Sequence, residues 1–133
     1  MLPTLTRQPD YSRIESGIRD TVRAINKLGI YTYSSCEGHL RLPRPLTPYI
    51  MFDMKSSPHE SLCILMLAVG ELDRRVNSTE WIFEPANEIG NGSPFVGLTT
   101  KFSGNGDPDL LEDRQEQMRE LIEIIDLVKK NYC

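Results

Sequence analysis

The chain has 133 residues, 39% of them apolar, and a net charge of −4, the length and composition of one domain with one core. It carries no basic face, which excludes a sequence-independent binder of long duplex nucleic acid. Its three cysteines (Cys36, Cys63, Cys133) are an odd number at unequal spacings, the longest apolar run (Leu62 to Val69) is too short to span a bilayer, and the first ten residues lack a signal pattern. Reduced thiols, no membrane partner and a cytoplasmic location are expected.

Residues 1–11, with Pro3 and Pro9, read as an extended arm ahead of a single domain over 1–133. Ser12 and Glu15 have capping-box spacing, and Ile14, Ile18, Val22, Ile25 and Leu28 recur at helical spacing until Gly29, which predicts the first helix. A strand follows over Ile30 to Ser35 and breaks at Glu37-Gly38, where only glycine takes positive φ without cost. The next stretch, L-R-L-P-R-P-L-T-P, holds three prolines that forbid helix and stiffen a loop carrying Arg41 and Arg44. Such a loop is either an anion clamp or a solvated crossover.

Tyr49 to Asp53 is almost continuously apolar and predicts a central strand. Ser57, Pro58 and Glu60 supply a cap, a first-turn proline and a capping acid. The helix they open, over Leu62 to Val76, is apolar on every side of its early turns, which predicts heavy burial. Trp81 to Glu84 predicts a third strand ended by Pro85, and Phe95 to Phe102 a fourth. Asp107 and Pro108 open a last helix striped by Leu110, Leu111, Met118, Leu121, Ile122, Ile125 and Val128. Ile124 and Leu127 lie beside that stripe, an apolar excess that predicts a homo-oligomer joined through this helix. The expected class is α+β, in the order αββαββα, with a mainly antiparallel sheet of about four strands and the helices on one face. The two helix-strand-strand units have the look of equivalent halves.

Chemistry concentrates in Tyr31 to His39, Y-T-Y-S-S-C-E-G-H. Three readings fit these residues. In the first, Cys36 is a nucleophile with Glu37 and His39 as partners, because a turn can bring a thiol and an imidazole three residues apart within hydrogen-bond reach. In the second, Cys36, His39, His59 and Cys63 ligate one zinc ion, from the pattern C-x2-H-x19-H-x3-C. In the third, Ser34, Ser35, Glu37, Gly38, His39, Arg41 and Arg44 line a pocket for ribose and phosphate, His39 adding a pH-sensitive contact. Phe83, Trp81 or Tyr33 then stacks a base, and Asn87 reads the base edge. A fourth reading, phosphate on the helix that follows G-N-G-D-P-D, is excluded by the two aspartates there.

The segment Y-S-S-C-E-G-H resembles the T-S-S-C-x-G-R motif of the wybutosine-synthesising tRNA methyltransferase family. The likeness extends through the strand Y-I-M-F and the following helix to W-I-F-E-P at Trp81 to Pro85, about two thirds of the chain. His39 stands where that family has arginine, and Glu37 where it has a small residue. The resemblance implies a modified guanosine in tRNA as substrate and S-adenosylmethionine as donor, and it carries over Ser34, Ser35, Cys36 and Gly38. In size, composition and mixed α+β pattern the chain is also similar to the small phage anti-Thoeris proteins that sequester cyclic nucleotide signals. The reading adopted is a non-catalytic binder of a nucleotide-type small molecule that needs no cofactor, with the nucleoside or tRNA enzyme and the zinc interaction module as alternatives.

Overall fold

A computed structural model describes residues 10–39, 48–76, 81–85, 95–100 and 108–132. Asp10 opens a 3-10 turn over Tyr11–Arg13, its carboxylate accepting from the backbone and hydroxyl of Ser12. Helix α1 follows over Ser16–Lys27. The Ser12–Glu15 capping box does not form: Ser12 is committed to Asp10, and Glu15, at the N-cap position, makes no side-chain cap bond. Ile18, Val22, Ile25 and Leu28 are buried as their spacing predicts, and Gly29 ends the helix at φ 92°.

Strands β1 (Thr32–Cys36), β2 (Tyr49–Asp53), β3 (Trp81–Pro85) and β4 (Phe95–Thr100) form one antiparallel sheet in the order β1-β2-β4-β3. The second strand of each helix-strand-strand unit is therefore an inner strand, and the two inner strands run antiparallel. A pair of halves related by an approximate two-fold axis produces that arrangement. Helix α2 spans His59–Arg75 and α3 spans Pro108–Tyr132. The helices cover one face of the sheet as a layer in which α3 packs against both α1 and α2.

The register explains the core. Ile50 pairs with Leu98, Phe52 with Val96 and Phe83 with Leu98, so these side chains share one face. Ile50, Phe52 and Leu98 are at most 1% exposed and pack with Ile64, Leu65, Met118 and Leu121 from the helices. Each such side chain contributes about 1.5–3 kcal/mol through burial. Thr21 Oγ1 donates to the Met118 carbonyl (2.8 Å), and Trp81 Nε1 donates to Gln117 Oε1 (2.9 Å). Buried polar groups thus also tie α1 and β3 to α3.

Three expectations are corrected here. Ser57 does not cap α2: its hydroxyl donates to the Asp53 carbonyl and Pro58 takes the N-cap position. The early turns of α2 are not buried all round, since Met66 and Leu67 are 57% and 51% exposed. Of the two residues that predicted self-association, Ile124 is fully buried within this chain and only Leu127 reaches solvent. No described helix is long and apolar enough to cross a membrane. The N-terminal arm and Asp107 lie outside the described residues, apart from the arm's last two.

Candidate functional site

The motif turn sits where the carboxyl end of β1 meets the amino end of α1. Cys36 pairs with Tyr49 across the sheet and is 6% exposed. Gly38 has φ 91°, the left-handed conformation that curls the chain back sharply after Glu37. The same glycine turns its N–H onto Cys36 Sγ (3.4 Å).

Glu37 turns away from Cys36 and caps α1. Its Oε2 accepts from the Gly17 N–H at 2.7 Å, satisfying one of the amides that a helix start leaves unpaired and placing negative charge where the helix dipole favours it. The approach requires glycine: a Cβ on Gly17 would lie 2.1 Å from Glu37 Oε2. Glu15 answers from the other side. Its Oε1 accepts from the Glu37 N–H (2.9 Å), and its Oε2 pairs with His39 Nε2 (2.8 Å). Gln115 of α3 donates from Nε2 to the Glu37 carbonyl (2.8 Å). The turn is thereby fastened to two helices.

Burial pushes the Cys36 thiol above its ordinary pKa; the Gly38 N–H works against that rise, and the nearby Glu15 and Glu37 carboxylates add to it. A raised thiol carries little thiolate near neutrality, the reverse of what an activated nucleophile needs. His39 Nε2 is on the Glu15 carboxylate, so the imidazole serves that ion pair. Glu37, expected to hold a ribose hydroxyl or to assist Cys36, is occupied by α1 instead.

The expected ligand set is not brought together. Ser34 and Ser35 are half-buried in β1, at one edge of the sheet, while Phe83 is on β3 at the other edge. Three strand spacings, about 14 Å, separate those edges. Trp81 is a core residue at 3% exposure, and Tyr33, beside an irregularity in the β1–β2 register, is 52% exposed. Arg41, Arg44 and Asn87 lie outside the described residues. The four expected zinc ligands are divided as well. Cys36 and His39 sit at the Tyr49 end of β2, whereas His59 and Cys63 (Nε2 to Sγ 3.6 Å) stand one turn apart at the start of α2, which follows the Asp53 end. Glu15, Gly17 and Gln115 were missed. Only Glu15 carried a signal, an acid at a helix start, and it was assigned to a local cap.

A second feature lies beyond the Phe52 end of the sheet. An apolar groove of about 240 Å³ opens between β2, β4, β3 and the start of α2. Phe52 and Leu65 form its floor, Leu62, Phe83 and Val96 its walls, and the exposed Met54 and Met66 its rim. The Phe52 and Phe83 rings meet edge to face, 6.0 Å apart at 90°, which holds Phe83 in place. No family model, curated protein or solved structure matches the chain.

Proposed function

We propose that the protein binds a nucleotide-type small molecule through its base and does not turn it over. The observation that carries this reading is the groove walled by Phe83. At about 240 Å³ it falls just below the range of pockets that swallow whole drug-sized ligands, and it suits one flat ring system with the rest of the molecule outside. An aromatic wall and a methionine rim give polarizable contact to a heterocycle, worth about 1–3 kcal/mol per stacked base. The polar end of the sheet supports the non-catalytic half of the proposal. Glu15, Glu37 and His39 are tied to one another and to backbone, and the Cys36 thiol beside them is buried and held in its protonated form by that burial. A sequestering protein needs affinity for the ground state alone. Withdrawal of a nucleotide signal, as a sponge, is the role such a site fits.

Native mass spectrometry against linear and cyclic nucleotides tests the reading. The expected result is a discrete adduct whose ligand is recovered unchanged after heat denaturation. Met66→Glu changes an exposed rim residue on a helix with a good helix former, so the adduct should weaken at least tenfold at unchanged melting temperature. A chemically altered product, or an adduct indifferent to Met66→Glu, overturns it.

A further inference from the structure

Glu15, Cys36 and His39 form the one group, among the described residues, in which three metal-ligating side chains converge: one donor atom from each lies within 4.8 Å of the other two. We propose that these three side chains bind a single divalent ion of the zinc class, through Glu15 Oε2, Cys36 Sγ and His39 Nε2. This site is separate from the groove and uses a different set of residues from the four expected at the sequence level.

The donor chemistry selects the ion. A thiolate, an imidazole and one carboxylate oxygen are a mixed set that suits a borderline-soft ion and not magnesium or calcium, which take oxygen. Metal bonds of about 2.0–2.3 Å in a tetrahedron put donor atoms roughly 3.3–3.8 Å apart. The observed convergence brackets that spacing, and the 2.8 Å contact between His39 and Glu15 opens by roughly half an ångström to admit the ion. Cys36 gives up its thiol proton to solvent on binding, and His39 binds as neutral imidazole. Three protein donors leave the fourth position to water, and the Glu15 and His39 side chains, 34% and 36% exposed, give the ion a way in.

The surroundings are what such a site requires. Donors are normally oriented by outer hydrogen bonds, and two of these three have them. The Gly38 N–H points at the sulfur that must become anionic, and the Glu37 N–H holds Glu15 Oε1 so that Oε2 faces His39. The positive φ of Gly38 places Cys36 and His39 on one side of a two-residue loop. Glu37, which would add a second carboxylate, is drawn off to α1, and Gln115 pins the carbonyl between the two chain donors. An ordinary ion pair closing a turn has no use for the amide on sulfur or for a cysteine at its centre.

Cobalt(II) titration of the full chain, stripped with chelator, is the test. A site with one thiolate predicts saturation at one cobalt per chain with a near-ultraviolet sulfur-to-cobalt band, displaced by zinc. Cys36→Ser should abolish that band and His39→Gln should weaken cobalt binding at least tenfold. Glu37→Ala removes a side chain that touches no donor and keeps the backbone N–H on Glu15 Oε1, so it should leave the band intact. The double variant His59→Ala/Cys63→Ser should leave the band intact, and circular dichroism of each variant confirms its fold. No band in the wild-type chain, or a band that survives Cys36→Ser and disappears with the α2 pair, overturns the proposal. Because Met66→Glu leaves these donors untouched, loss of nucleotide binding and loss of cobalt binding are read separately.

Discussion

The two ends of β2 show opposite ways of making a site. At the Tyr49 end, groups that stand close in sequence have been turned on one another: Glu37 caps α1, Glu15 holds both Glu37 and His39, and Cys36 is buried beneath them. At the Asp53 end, Phe52, Leu62, Met66, Phe83 and Val96 come from four elements and leave an apolar surface uncovered. Density of reactive side chains in sequence is thus a poor guide to what remains free for a ligand. Polar groups near one another satisfy one another first, because an unsatisfied one costs about 1–3 kcal/mol when buried. An uncovered apolar groove costs stability with no such remedy, so its persistence asks for a reason.

The largest effect that would separate the two ends is on stability at the polar one. Gly17→Ala in an open helix would gain roughly 1 kcal/mol from propensity. Here the added Cβ meets Glu37 Oε2, expels the carboxylate and leaves the α1 amide without it, which cancels that gain and costs up to about 2 kcal/mol net. In a Glu37→Ala background the same change should become stabilising. A double-mutant cycle by urea unfolding reads that reversal of sign. Equal effects in both backgrounds would mean that Glu37 does not cap α1. Neither variant should alter nucleotide binding, whereas Met66→Glu should do the opposite, reducing binding while moving stability by no more than about 0.5 kcal/mol.

The two cysteines near these ends should differ in reactivity. Cys36 is nearly inaccessible, and Cys63 is half-buried at the start of α2. Brief alkylation of the native, metal-free chain followed by peptide mapping should label Cys63 well before Cys36, and unfolding should equalise them. Fast labelling of Cys36 would revive it as a nucleophile.

How far the sequence foretold this molecule depends on the range of each interaction. Ile18, Val22, Ile25 and Leu28 announced α1 through local periodicity, and Tyr49–Asp53 was bounded correctly because a short apolar run between turn residues has little choice. The order αββαββα followed from such local signals. The caps did not: α1 is capped by a carboxylate twenty positions further on, so Ser12 and Glu15 offered a nearer and false solution. Cys36 and His39 were legible as a pair because one glycine turn joins them. Their partner Glu15 was not, nor was the separation of Phe83 from Ser34 and Ser35, since the strand order β1-β2-β4-β3 is a product of long-range pairing. Arg41, Arg44 and Asn87 keep their sequence-based roles as expectations.

The smallest expected effect lies on the surface away from both ends. Arg74 and Arg75 hold the Glu71 carboxyl down from its usual 4.5 to about 2 through hydrogen bonds at 2.6–3.1 Å. A carboxyl with a depressed folded-state pKa adds stability above its unfolded value, and that stability is lost as the pH falls through the folded one. The gap in melting temperature between wild type and Glu71→Gln should therefore be full above pH 4.5 and close as the pH approaches 2. The Arg74 side chain is 74% exposed, so solvent screens the pair and raised salt should shrink the gap. Arg75 also reaches Glu120 of α3 (3.6 Å), and a gap that resists salt would show that this cluster helps fasten α2 to α3.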